Sequence, residues 1–190
     1  MILRQTRAVT VTDPPSAGDQ LLIVEYDALA AMPDRTPEQA ARMEQIAKEL
    51  APAEQLQIEL CTINTVQYGQ YEANRRQVVT FAEQQTGQKW QQAIEDPAAA
   101  SIIDAALMWA RISAAVTRVQ SREASRVDEQ TAGAWADVDA AWLSSPAAWM
   151  EQIPHDLADA LDRVCFALNP GLFRQIGGTD AKKNGGISVG

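Results

Sequence analysis

A chain of 190 residues that is 46% hydrophobic and 22% charged holds enough material for one domain, or one domain with an appendage, and needs no disulfide or metal to fold. Nine Pro and ten Gly exclude collagen-like and low-complexity chains. Sixteen basic against 25 acidic residues leave a net charge of −9, which repels phosphate backbones and argues against general nucleic-acid binding.

Arg4 and Arg7 lie near the start, but no apolar stretch of signal-peptide length follows them, and Asp13-Pro14-Pro15 interrupts the segment. Ile2 to Thr12 is rich in Thr and Val. Val9 and Val11 share one face, Thr10 and Thr12 the other, which predicts a strand. Residues 13–19 predict a turn, since Pro fixes φ and Gly permits unusual geometry. Leu21-Leu22-Ile23-Val24-Glu25-Tyr26 reads as a second strand, so residues 1–33 are expected to form an N-terminal β-hairpin. Two strands alone are marginally stable in water, so the hairpin must lean on helices or pair with another copy. Leu22 and Val24 on it are candidate partner-binding residues.

Residues 34–170 read as a helical domain. Thr36-Pro37-Glu38-Gln39 combines an N-cap, a proline at the first helical position and Gln at the capping-box position. Met43, Ile46, Ala47 and Leu50 then recur at helical spacing. Pro52 is expected to open a second helix striped by Leu56, Leu60, Ile63 and Val66. A polar helix over 71–85 follows, anchored by Val78, Val79 and Phe81, with Gly87 as its C-terminal cap. Asp96-Pro97 is the clearest helix start, an acid at the positive end of the macrodipole followed by proline. Two apolar stripes run on from it as far as Thr117 and Val119, which predicts a long helix central to a bundle. Arg118, Arg122 and Arg126, at i, i+4 spacing, fall on one face if that helix persists: a solvated face, or one that docks an acidic partner.

Trp135, Val138 and Trp142 predict one apolar helix edge. Ser144-Ser145-Pro146 restarts the helix with Trp149, Met150 and Ile153. Leu157, Leu161, Val164, Cys165 and Leu168 form the last amphipathic helix, closed by Asn169-Pro170-Gly171. Residues 171–190, with Gly177-Gly178, Lys182-Lys183 and Gly185-Gly186, cannot bury enough apolar surface to offset their ordering entropy and are expected to be a flexible tail. The fold class expected is therefore mainly α: a helical bundle with an N-terminal β-hairpin and a disordered C-terminal tail. The most apolar segment, 97–119, is crossed by Asp104, Arg111 and Arg118, so no membrane span is expected.

Few residues offer chemistry. Cys61 and Cys165 sit in apolar patterns and read as buried free thiols. His155, between Pro154 and Asp156, fits a surface helix start better than a catalytic dyad. With one His and no C-x-x-C or H-E-x-x-H stretch, no metal site is expected, and the phosphate-binding glycine loops and the G-x-S-x-G elbow are absent. Catalytic residues, cofactors and a small-molecule substrate are accordingly not expected. Trp135, Trp142 and Trp149 repeat every seven residues. They read either as core residues of a small bundle or as an aromatic surface that grips a partner, and they are the main candidate partner-binding residues.

The order of these segments is an opening Ile2-Leu3-Arg4-Gln5-Thr6-Arg7, then Leu22-Ile23-Val24-Glu25-Tyr26-Asp27-Ala28-Leu29. A helical body follows, then Ile153-Pro154-His155-Asp156-Leu157 leading to Asn169-Pro170, and a polar Gly/Lys tail. This layout resembles the tail assembly chaperones of long-tailed bacteriophages. The resemblance implies a non-enzymatic protein of the host cytoplasm that binds the tape-measure protein, keeps its apolar helices soluble and helps recruit tail-tube subunits. It implies no catalytic residue. Self-association through the hairpin edge fits the same layout, as does a structural tail or head–tail connector component retained in the virion.

Overall fold

Thr36-Pro37 and Ser145-Pro146 each start a helix where the sequence signals one. A computed structural model describes residues 5–128 and 132–170. In chain order these form β1 (Thr6–Thr12), α1 (Ala17–Ala30), α2 (Pro37–Glu49), β2 (Ala53–Cys61), α3 (Thr65–Thr86), α4 (Trp90–Ala93), α5 (Ala100–Ala115), β3 (Val116–Ala124), β4 (Ala136–Asp137), a 3-10 turn at Ala141–Leu143, α6 (Pro146–Gln152) and α7 (His155–Leu168). Thr36 and Gln39 make the expected reciprocal capping box on α2, and Gly87 closes α3 in the left-handed region at φ 68°. The fold is mainly helical, with one four-stranded sheet in the order β1-β2-β3-β4. No helix among the described residues is long and apolar enough to cross a membrane. The expected tail, 171–190, lies outside the described residues.

The chain forms two compact units, each drawn from separated stretches. One contains Ala8–Ile58 and Arg118–Ala140. Here β1 pairs antiparallel with β2, the Asp13 N–H donating to the Glu54 carbonyl at 3.0 Å. β3 pairs antiparallel with β4 in the register Gln120–Asp137 and Ser121–Ala136. Ile46, Leu50, Ala53, Ile58, Val119 and Ala124 form its buried apolar set. The other unit contains the described residues of Met1–Arg7, Glu59–Thr117 and Ala141–Gly190. In it α3 and α6 pack on α5, which also carries α7. Trp109, Tyr71, Val78, Ile112, Trp149, Leu161 and Cys165 are fully buried there.

Four expectations are corrected. Leu21–Tyr26 is not a strand, and the 1–33 hairpin does not form. Ser16 accepts from the Asp19 N–H at 3.1 Å and caps a helix through that run, while β1 finds its partner in β2. The helix expected from Pro52 is β2, whose Ile58 and Leu60 are buried while Gln55, Gln57 and Glu59 are not, a period of two. The long helix after Asp96-Pro97 ends at Ala115, and the β-branched Val116, Thr117 and Val119 continue it as β3. Arg118 and Arg122 therefore lie on one strand face rather than one helix face. The helix edge expected at Trp135–Trp142 is instead β4 and the 3-10 turn. Asp96 still acts at its start signal, accepting from the Ala98 N–H at 2.9 Å, but regular helix begins at Ala100.

Candidate interaction surfaces

The three tryptophans do not form one aromatic surface. Trp142 and Trp149 are buried, with ring centroids 5.8 Å apart at 51°. Beside them the Trp109 indole N–H donates to the Leu143 carbonyl at 3.0 Å, so its polar end is satisfied inside the helical unit. Trp135 belongs to the other unit. It is half-buried beneath the Arg122 guanidinium, 4.4 Å from the ring centroid. For Trp142 and Trp149 the core reading holds.

Beside the buried pair the helical unit opens a groove of about 480 Å³ among α5, α6 and the start of α7. Its walls are Ala105, Met108, Trp149, Met150, Ile153 and Ala158, with Ser101, Asp104 and His155 also lining it. His155 is 87% exposed, and its Nδ1 lies 3.3 Å from Asp159 one turn along the same helix. The groove thus has apolar walls and a wet polar rim. Unbranched, polarizable methionines let such a wall adapt to the shape laid against it. Among the described residues no group of three or more His, Cys, Asp or Glu is placed to hold a metal ion.

Leu22 and Val24 sit on opposite sides of α1. Leu22 is half-buried, and Val24 is 62% exposed. α1 packs on α2, held by a two-pronged pair in which Arg42 Nε and Nη2 reach the Glu25 carboxylate at 2.7 and 2.8 Å. That guanidinium holds the Glu25 carboxyl below the usual carboxylate range. Yet no residue of α1 is buried, although the helix is largely apolar. Leu21 is 75% exposed, and Ala17, Ala28 and Ala31 are exposed with it and Val24. Their spacing of four, three, four and three residues is the seam of a helix that meets another helix.

The arginine strip is occupied internally. Arg122 Nε donates to Gln55 at 2.8 Å. Arg118 reaches Asp137 at 2.7 and 3.3 Å and pushes the Asp137 carboxyl down. Arg126 has a side chain only 7% exposed. It donates to Asp13 Oδ2 at 2.8 Å, to the Asp13 carbonyl at 3.0 Å and to the Ala51 carbonyl at 3.2 Å. It thereby ties the segments after β1, before β2 and after β3.

The helical unit has its own polar ties, partly or fully buried. Arg111 and Asp162 meet through two bonds of 3.0 Å between α5 and α7. The buried Asn169 accepts from the Ile63 N–H at 2.7 Å and donates to the Cys165 carbonyl at 3.0 Å. Cys61 and Cys165 are buried thiols, as the sequence predicts, and burial pushes the Cys165 thiol up to about 12. The sequence reading missed these arginine and asparagine ties because each joins residues far apart in the chain.

The chain matches no family model, no curated protein and no solved structure.

Proposed function

We propose that the chain is a non-enzymatic assembly factor of phage tail morphogenesis, a chaperone that binds the tape-measure protein and helps recruit tail-tube subunits in the host cytoplasm. The observation that carries this reading is the methionine-walled groove among α5, α6 and α7. A helix side laid along Met108, Met150 and Ile153 finds apolar contact that water does not provide. The lining offers few groups that act on a substrate: His155 pairs within its own helix, and the two cysteines are buried thiols elsewhere. A net charge of −9 favours solubility of a complex that carries an apolar client.

Coexpression with a phage tape-measure protein tests the reading. The two are expected to co-purify, and Met150→Glu with Met108→Glu is expected to release the client and return it to the insoluble fraction. A client that stays insoluble beside the wild-type chain contradicts the proposal.

A second reading, a structural tail or connector component, is favoured by β1. It is an outer strand of the sheet and is exposed along most of its length. Such an edge can extend a neighbour's sheet. Mass spectrometry of purified virions separates the two: a retained component is present in stoichiometric amount, an assembly chaperone is missing.

A further inference from the structure

We infer that β1 pairs antiparallel with β1 of a second copy, with the two-fold axis at Thr10. This names the neighbour at the outer edge of the sheet and rests on neither reading of the function. β1 is held to β2 in one register: the Asp13 N–H donates to the Glu54 carbonyl at 3.0 Å, and the Thr62 N–H donates to the Gln5 carbonyl at 2.9 Å. Bonded and non-bonded residues alternate along an antiparallel ladder. Gln5, Arg7, Val9, Val11 and Asp13 therefore spend their backbone groups on β2, while those of Thr6, Ala8, Thr10 and Thr12 point away from the sheet. These four residues are exposed. The opposite edge, β4, is only Ala136–Asp137, so the seven residues of β1 find an edge of equal length in another β1 and not in β4.

Charge sets the register. Arg7, at one end of the strand, makes no ion pair among the described residues. At the other end Asp13 and its cross-strand partner Glu54 are both acidic. Arg126 takes Asp13 Oδ2 at 2.8 Å, but the Asp13 side chain is 46% exposed with its second oxygen left to accept, and Glu54 has no ion pair among the described residues. A second copy turned about Thr10 lays its Arg7 opposite Asp13 at both ends. Val9 then lies opposite Val11, apolar β-branched pairs at the closely spaced, non-bonded positions. Thr10 meets Thr10 and Ala8 meets Thr12 at the bonded positions, so the outward backbone groups from Ala8 to Thr12 all gain partners. Moving the axis to Val9 also satisfies the backbone, but it sets Arg7 opposite Val11 and Asp13 opposite Gln5, and both charges go unanswered.

Sedimentation of the full chain over a range of concentrations tests the pairing. A strand-to-strand contact of this size is expected to give a dimer with a Kd on the order of 10–100 μM. Thr10→Pro removes an outward N–H and none of the bonds to β2, so it is expected to weaken the dimer at least about tenfold with circular dichroism unchanged. Arg7→Glu sets acid opposite acid at both ends and is expected to weaken it by a similar factor; should Thr10→Pro disturb the fold, Arg7→Glu decides in its place. Thr10→Cys is expected to give a disulfide-linked dimer under mild oxidation, whereas Ala8→Cys is not, because its two copies lie about 13 Å apart in this register. A wild-type chain that is monomeric at about 0.5 mM overturns the inference. So does a dimer that survives Thr10→Pro and Arg7→Glu, or cross-linking as efficient through Ala8→Cys as through Thr10→Cys. A chain that stays monomeric yet holds the tape-measure client removes this interface alone, and a dimer that fails to hold the client removes only the groove reading.

Discussion

Single polar residues hold the segment ends in place. Arg126 is the strongest case, a nearly buried guanidinium that satisfies two carbonyls and one carboxylate. Removing it strands those acceptors. Arg126→Ala is expected to lower stability by about 2–4 kcal/mol, toward the lower end because Asp13 is partly exposed. Arg126→Lys, which keeps the charge and loses the fork, should fall between. Urea denaturation measures both, and an unchanged midpoint for Arg126→Ala contradicts this role. Cys165 supplies a second test at this scale. Its folded pKa is raised from the usual 9.0 to about 12 by burial first, with Asp162 adding to it. The unfolded chain therefore releases that proton at lower pH than the folded chain does. Below pH 9 the thiol leaves stability unaffected, and as pH climbs from 9 toward 12 stability falls. At neutral pH the thiol is expected to react with a disulfide reagent only as fast as the protein opens. Rapid modification in the native state would contradict that burial.

At the scale of elements, α1 is the least anchored helix, and its cap matters correspondingly. Ser16→Ala is expected to cost about 1 kcal/mol and to speed amide exchange within residues 17–30 more than elsewhere. Gly87 closes α3 at φ 68° with open space where a Cβ would stand, so Gly87→Ala is expected to destabilise by about 1 kcal/mol through backbone strain alone. The Glu25–Arg42 pair between α1 and α2 adds a pH dependence. The carboxyl is held below its unfolded value, so its contribution is present above the usual carboxylate pKa and is lost as pH falls through the lower, folded value.

The same elements show what the sequence made legible. The capping box at Thr36 and Gln39, the Gly87 cap and the Val9/Val11 alternation are local, and they are present as read. The errors have a common cause. Residues four apart share a face on a helix and also on a strand, so Leu56 and Leu60, or Arg118 and Arg122, fit both periods. What decides between them for β2 and β3 is pairing with strands distant in sequence, which no local window contains. Leu21–Tyr26 failed in the opposite direction. A short apolar run suits either structure, and the Ser16 cap with Asp19, rather than the run itself, marks it as helix.

Across the whole molecule, the account rests on an apolar surface offered by a chain of net charge −9, the α5–α6–α7 groove. The candidate site was only partly legible in the sequence. Val24 lies on the exposed seam, Leu22 on the opposite side of that helix, and Trp149 in the groove wall. Met108 and Leu21 acquire their roles only once the helices are placed, because an apolar residue in a periodic run does not show from the sequence which neighbours it will meet. Hydrogen–deuterium exchange of the full chain, alone and in complex with the coexpressed tape-measure protein, tests the central claim most directly. The account predicts slowed exchange over residues 101–108 and 149–158, with β2 unchanged. Exchange identical in the two states across those segments, or protection confined to the sheet, would contradict it.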